Sequence, residues 1–278
     1  MSRTPVEKKL IEVERDVTIT ALISRRSDQP QQATSPVVIF LHFWGGSSRT
    51  WSLVNHITAH DYSTVALDFR GWGESTGPDD AAAYSIAALA GDITATVRAL
   101  HLDSVVIVGL SMGAKVAQLL AVSLPAVRGL ILVSPAPPTP LALPTEMREQ
   151  QMHAYDDADS AQFVAKNVLT FSFRSRELPG FVVDDMLRGN RWAREAWPAY
   201  AMSEDISEVV GEIDVPTLVL AAEHDVVEPL ERVRMEVRDR IPGARMEVIP
   251  GSGHLSPLDT PEVVAQHILR FIQGLLAK

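Results

Sequence analysis

An apolar run, Val105-Val106-Ile107-Val108, leads without a break into Gly109-Leu110-Ser111-Met112-Gly113, and a good helix former, Ala114-Lys115-Val116-Ala117-Gln118-Leu119-Leu120, follows at once. Few backbones accommodate this. A strand that turns directly into a helix forces the corner residue, Ser111, into strained geometry and lifts its hydroxyl above the sheet. Glycines are needed two positions to either side, because side chains there would collide with neighbouring backbone.

The rest of the chain supplies the sheet that such a corner requires. Alternating apolar and polar residues over 9–14 and 17–23, split by Arg15-Asp16, predict an antiparallel hairpin. Gln29 to Ser35 reads as a polar loop. Beyond it, short continuous apolar strands (Val37–Leu41, Thr64–Leu67, Val105–Gly109, Gly129–Val133, Thr217–Ala221, Met246–Ile249) alternate with helices near Trp51–Ala59, Ser85–Leu100, Met112–Leu124, Leu230–Arg240 and Pro261–Leu276. That alternation predicts an α/β fold whose mostly parallel central sheet is covered on both faces. It breaks after Ser134, where a proline-rich stretch (Pro135, Pro137, Pro138, Pro140, Pro144) gives way to helical, aromatic sequence carrying Phe163, Phe171, Phe173, Phe181, Trp192, Trp197 and Tyr200. We expect a helical lid over 135–211 inserted into a core formed by 1–134 and 212–278.

Composition narrows the chemistry. A net charge of −10 argues against nucleic acid and against an anionic membrane surface. Arg232, Arg234, Arg238 and Arg240 lie at helical spacing beside Glu231, Glu236 and Asp239, the pattern of an ion-paired solvated face. With no cysteine, disulfides, thiolate catalysis and cysteine-held metals are excluded. Residues 1–16 are polar and charged, unlike a signal peptide, and no apolar stretch reaches membrane-spanning length, so a cytoplasmic location is expected. No metal or other cofactor is expected either. His56 and His60 are four apart, but Ile57 stands where a zincin motif carries glutamate.

A serine hydroxyl becomes a useful nucleophile when a base takes its proton and a third group fixes the base. Function in open α/β sheets gathers at the carboxyl ends of strands. His254, in Pro250-Gly251-Ser252-Gly253-His254 after the last strand, meets that condition. His267, inside an amphipathic helix, is assigned a structural place. For the carboxylate, Asp225 is the choice, with Glu223 its rival in the same loop. Asp214 lies at the wrong end of its strand, and Asp259 suits a helix cap. Backbone N–H groups must also meet the developing oxyanion. Met112, at the helix N-terminus, is one candidate donor. Trp44, in His42-Phe43-Trp44-Gly45-Gly46, is the other, although that glycine pair also fits a plain turn.

These pieces together resemble the α/β-hydrolase family with a helical lid, over essentially the whole chain: the turn at 109–113, Asp225 in Glu223-His224-Asp225-Val226-Val227-Glu228-Pro229, and Gly253-His254 followed by Pro261-Glu262. Asp68-Phe69-Arg70-Gly71-Trp72-Gly73-Glu74-Ser75 resembles a family stretch that is mostly architectural. The resemblance implies Ser111 as nucleophile, His254 as base, Asp225 as its partner, and Trp44 with Met112 as oxyanion donors. Related epoxide hydrolases and dehalogenases carry aspartate at the nucleophile position, so Ser111 argues against both. One departure is Phe43, where relatives have glycine; it bears on the loop backbone and narrows the acyl pocket.

The expected function is hydrolysis of a carboxylic ester or lactone through an acyl-enzyme. Phe43, Trp192 and Trp197 are expected to line a pocket for a small, largely apolar substrate. The alternatives are carbon–carbon bond hydrolysis or cofactor-free perhydrolysis by the same triad, or a low-turnover ligand receptor. Oligomeric state is left open.

Overall fold

In a computed structural model, residues 5–25 and 35–277 are described. The polar loop expected over 29–35 falls outside them except for Ser35. Strands β1 (Val6–Glu14) and β2 (Val17–Ser24) form the predicted antiparallel hairpin. They turn at Arg15-Asp16, with Asp16 in the left-handed region at φ 63°. Strands β3 (Val37–Leu41), β4 (Thr64–Leu67), β5 (Val105–Leu110), β6 (Val127–Val133), β7 (Thr217–Ala222) and β8 (Arg245–Ile249) complete an eight-stranded sheet in the order β1-β2-β4-β3-β5-β6-β7-β8. β2 pairs antiparallel with β4, and every pair from β4 to β8 is parallel. Every residue of β3, β4, β5 and β7 is buried. Such strands need helices on both faces, which is why their apolar runs are continuous.

The helices are α1 (Ser52–Thr58), α2 (Ile86–Ala99), α3 (Met112–Ser123), α4 (Thr145–Met152), α5 (Ala158–Val164), α6 (Phe181–Arg188), α7 (Arg191–Ala199), α8 (Ser207–Val210), α9 (Leu230–Glu236), α10 (Ser256–Asp259) and α11 (Pro261–Leu276). α1 packs on α11 and α2 on α3. In α11, Val264, Ile268, Phe271 and Ile272 recur at helical spacing and all are buried. Burying side chains of this size contributes roughly 1.5–3 kcal/mol each, which explains a helix of this length at the end of the chain.

Two helical boundaries differ from expectation. The first expected helix opens as a 3₁₀ turn, Ser48–Trp51, capped by the Ser47 hydroxyl, and only then becomes α1. The helix expected over Leu230–Arg240 stops at Glu236, because Val237 leaves helical geometry (φ −120°) to bury its side chain, and a 3₁₀ turn, Arg238–Arg240, follows. Its arginines pair as expected: Arg234 with Glu231, Arg240 with Glu236 and Arg238 with Asp239. Between β6 and β7 the chain leaves the sheet for α4–α8, the helical insert.

Candidate active site

Because β3, β5, β7 and β8 run parallel, their carboxyl ends share one edge of the sheet. His42, Ser111, Asp225 and His254 all follow those ends. Ser111 sits between β5 and α3 at φ 55°, ψ −114°, a conformation costly for a residue with a side chain. Neighbouring backbone fixes it: its N–H donates to the Val133 carbonyl (3.1 Å), and its carbonyl accepts from Ala136 N–H (3.2 Å). The glycine requirement is steric. A Cβ on Gly109 would stand 2.4 Å from the Gly113 carbonyl oxygen, and one on Gly113 would stand 2.5 Å from that of His42.

His254 and Asp225 meet across the loops after β8 and β7, Nδ1 to Oδ2 at 2.9 Å, with both side chains almost fully buried. That contact makes Nδ1 the protonated nitrogen and leaves Nε2 its lone pair. The second oxygen of Asp225 accepts from the N–H groups of Val227 and Glu228, both at 2.9 Å. Burial opposes its charge, but His254 and those two N–H groups outweigh burial and hold its pKa below the usual carboxylate value. For His254 burial again opposes the charge, and the Asp225 carboxylate still holds its pKa above 6.5. Glu223 faces elsewhere, its carboxylate accepting from Gly251 N–H at 2.8 Å.

The loop after β3 gives Phe43 a place without glycine. Its left-handed residue is Gly45, at φ 98°, while Phe43 is not in that region. The Phe43 ring is buried against Gly46. The Phe43 carbonyl accepts from His42 Nδ1 (2.7 Å) and from Gly46 N–H (3.0 Å). A planar trans peptide points its N–H opposite to its carbonyl, so pinning that oxygen fixes the direction of the Trp44 N–H. Among the described residues, neither the Trp44 nor the Met112 N–H donates to a protein acceptor. His42 Nε2 accepts from Phe69 N–H at 3.0 Å. Burial lowers the His42 pKa to about 4, so the ring is neutral and holds one tautomer.

The stretch at 68–75 is the scaffold beneath this loop. Asp68 accepts from the N–H groups of Ser48 (2.6 Å) and Glu74 (2.9 Å). Arg70 makes a buried two-bonded pair with Asp92, at 2.6 Å in each bond.

The insert reaches the same edge. The Tyr155 hydroxyl donates to the Trp44 carbonyl at 3.0 Å, its ring lies 4.3 Å from that of Trp44, and Trp44 Nε1 donates to the Arg194 carbonyl at 3.0 Å. Phe171 stacks on His224 at 3.9 Å between ring centres. Trp197 is buried, whereas Trp192 is partly exposed beneath the Arg191 guanidinium. Phe163 is 63% exposed and faces away from any core.

Asp259 corrects an expectation. Helix α11 begins with no side-chain cap, and the Asp259 carboxylate instead accepts from Phe171, Ser172 and Gly253. Sequence reading also missed Tyr155, Glu228 and Lys115. Tyr155 stands among polar residues and carries no motif. Lys115 is fully buried on α3, its ammonium donating to the carbonyls of Thr139, Met202 and Glu204, and burial lowers its pKa to about 8. A lysine directly after the helix-opening residues gives no hint of burial until the insert is seen to fold over it.

Among the described residues, no cluster of histidine, cysteine, aspartate or glutamate could hold a metal ion, and no helix is long and apolar enough to cross a membrane.

The profile of the alpha/beta hydrolase family matches residues 38–267. A Bacillus subtilis (strain 168) protein named as a 2-succinyl-6-hydroxy-2,4-cyclohexadiene-1-carboxylate synthase is 27% identical over 256 residues, 87% of this chain and 92% of that protein. A Mycobacterium tuberculosis (strain CDC 1551 / Oshkosh) protein named as the non-heme bromoperoxidase BpoC is 28% identical over 265 residues, 88% of this chain and 96% of that one. The structure of an esterase from Exiguobacterium antarcticum superposes with a TM-score of 0.81 at 21% identity, covering 96% of this chain and all of that one. With the edge of the sheet organised in this way and the family profile spanning both the core and the insert, the chain belongs to the alpha/beta hydrolase family.

Proposed function

We propose that the protein is a serine hydrolase that cleaves a carboxylic ester or lactone of a small, largely apolar substrate through an acyl-enzyme. The observation that carries this reading is the buried His254–Asp225 pair at the same sheet edge as the strained Ser111. Ser111 Oγ attacks the carbonyl carbon while His254 Nε2 takes its proton. Asp225 stabilises the imidazolium, and the N–H groups of Trp44 and Met112 donate to the oxyanion. The tetrahedral intermediate collapses as His254 returns the proton to the departing alkoxide. A water, deprotonated by the same nitrogen, then cleaves the acyl-enzyme and regenerates Ser111. The insert acts as a lid, with Phe43, Trp192 and Trp197 lining the substrate pocket. Its contacts with Trp44 and His224 support that role.

The test is labelling with a fluorophosphonate, with the adduct mapped to the peptide containing Ser111. Ser111→Ala should lose at least about a thousandfold in ester hydrolysis. Asp225→Asn should be severe and Glu223→Gln mild. Undiminished esterase activity in Ser111→Ala overturns the reading. Perhydrolysis is a second reading, favoured by the similarity to the mycobacterial bromoperoxidase. Turnover of peroxide with acetate exceeding ester hydrolysis would select it.

A further inference from the structure

The segment Leu169–Ser172 leaves a π-helical turn of the insert and crosses directly over the loop that carries His254. Its approach is close enough that a Cβ on Gly253 would stand 2.9 Å from the Phe171 nitrogen and 3.0 Å from the Thr170 carbonyl carbon. One carboxylate fastens the two pieces. Asp259 Oδ2 accepts from Phe171 N–H (2.8 Å) and Gly253 N–H (2.8 Å), while Oδ1 accepts from Ser172 N–H (2.9 Å) and the Ser172 hydroxyl (2.6 Å). On the other side of His254, Leu255 N–H donates to the Leu169 carbonyl at 2.8 Å. Both backbone neighbours of His254 are therefore gripped, one by Asp259 and one by the strap itself. The strap also touches the loop of Asp225, where Phe171 stacks on His224.

We infer that Asp259 is a positioning residue that latches the insert's 169–172 strap to Gly253, so that seating of the lid and placement of the base His254 are one event. The inference rests on the serine-hydrolase reading above. Charge-assisted bonds from several N–H groups to one carboxylate are among the stronger polar contacts, and an amide cannot replace them all. Asparagine at 259 would turn an NH₂ group toward N–H donors and release one side of the latch. His254 would then sit less firmly against Asp225.

The experiment compares wild type, Asp259→Asn, Ser172→Ala and Ser111→Ala in ester hydrolysis across pH, with folding checked by circular dichroism. Asp259→Asn should lower kcat by about tenfold to a hundredfold, the scale of a displaced reacting group. KM should rise by a smaller factor than kcat falls, because the displaced base acts in the transition state whereas the lid contributes to substrate binding. The acid limb of kcat/KM should also move to lower pH. The titratable groups facing His254 are Asp225 and Glu228; Glu228 keeps its proton up to about 8, so the Asp225 carboxylate is the charge that raises the His254 pKa, and a loosened histidine drifts back toward 6.5. Ser172→Ala removes the hydroxyl bond to Asp259, together with the bond that hydroxyl accepts from the exposed Arg176 (2.7 Å), leaves the three N–H contacts to the carboxylate, and should show the same changes to a smaller degree.

A folded Asp259→Asn with wild-type kcat and an unmoved acid limb overturns the latch, as does a change confined to KM. Should Asp259→Asn fail to fold, a Ser172→Ala indistinguishable from wild type in both kcat and acid limb overturns it. Retained hydrolysis in Ser111→Ala refutes the serine-hydrolase reading itself, an outcome distinct from failure of the latch alone.

Discussion

Glu228 is the residue whose substitution should make the protein more stable, and by an amount that grows with pH. Its side chain is 2% exposed, and its nearest cation is Arg232 at 3.7 Å. One carboxyl oxygen has no hydrogen-bond partner among the described residues. Burial, opposed by His254 and Arg232, pushes its pKa from 4.5 up to about 8. The folded state therefore keeps a proton that the unfolded chain gives up. Below pH 4.5 both states hold it and there is no penalty. Between 4.5 and about 8 only the unfolded state ionises, so stability is lost as pH rises, at a little over 1 kcal/mol per pH unit. The loss accumulates to about 5 kcal/mol and is constant above that window. Glutamine at 228 has no proton to lose, so the gap between Glu228→Gln and wild type should open over that interval and then level off. Whatever the amide gains or loses in packing only offsets the curve. Urea unfolding of both proteins at half-unit steps from pH 5 to pH 9 measures it. A stability difference that stays flat over this range, to within about 1 kcal/mol, would falsify the assignment of Glu228 as a buried neutral acid.

Three further outcomes follow from the site. His42→Ala releases the Phe43 carbonyl from its 2.7 Å bond and lets the Trp44 N–H wander; kcat should fall about tenfold with KM little changed, measured by steady-state ester hydrolysis, and an unaltered kcat refutes the role of the pinned peptide. Gly113→Ala places a methyl 2.5 Å from backbone oxygen that cannot yield, so it should cost more than about 3 kcal/mol or leave the protein insoluble, and a soluble variant with wild-type urea midpoint contradicts the steric argument. Because Asp225 holds the His254 pKa above 6.5, hydrolysis should decline as pH falls through a value higher than 6.5, and a kcat/KM profile still level at pH 6 rules out His254 as the base.

The core was legible because its signals are local. A strand buried on both faces must be apolar at every position, and Val37–Leu41 and Thr64–Leu67 appear at their expected ends. Helix α11, with proline at its first position and period-3.6 burial, also matches residue for residue. Gly109 and Gly113 declare the turn because neighbouring backbone leaves no room for a Cβ. The insert was less legible because its contacts are made across long stretches of chain. Asp259 meets Phe171 and Ser172 more than eighty positions away, so a cap at the start of α11 was the reasonable local reading and the wrong one. Tyr155 finds the Trp44 carbonyl 111 positions distant, and nothing in its own neighbourhood announces that.

Phe43 shows where sequence patterns and backbone geometry part. A glycine after the histidine of this loop reads as a conformational requirement, yet the loop puts its left-handed turn at Gly45, and there the Tyr155 ring lies so near that a Cβ would stand 2.6 Å from it. What the Trp44 N–H needs is a fixed carbonyl on the other side of its peptide. His42 and Gly46 supply that whatever the side chain at 43. The neutral tautomer of His42 is itself held by Phe69 N–H, and Phe69 follows Asp68, whose carboxylate ties together Ser48 and Glu74. The orientation of one N–H therefore depends on a chain of buried hydrogen bonds running back into the scaffold at 68–75. It follows that Asp68→Asn, although remote from the proposed oxyanion, should reduce kcat by disturbing this chain, whereas Phe43→Gly should leave kcat close to wild type and reveal itself mainly as lost stability.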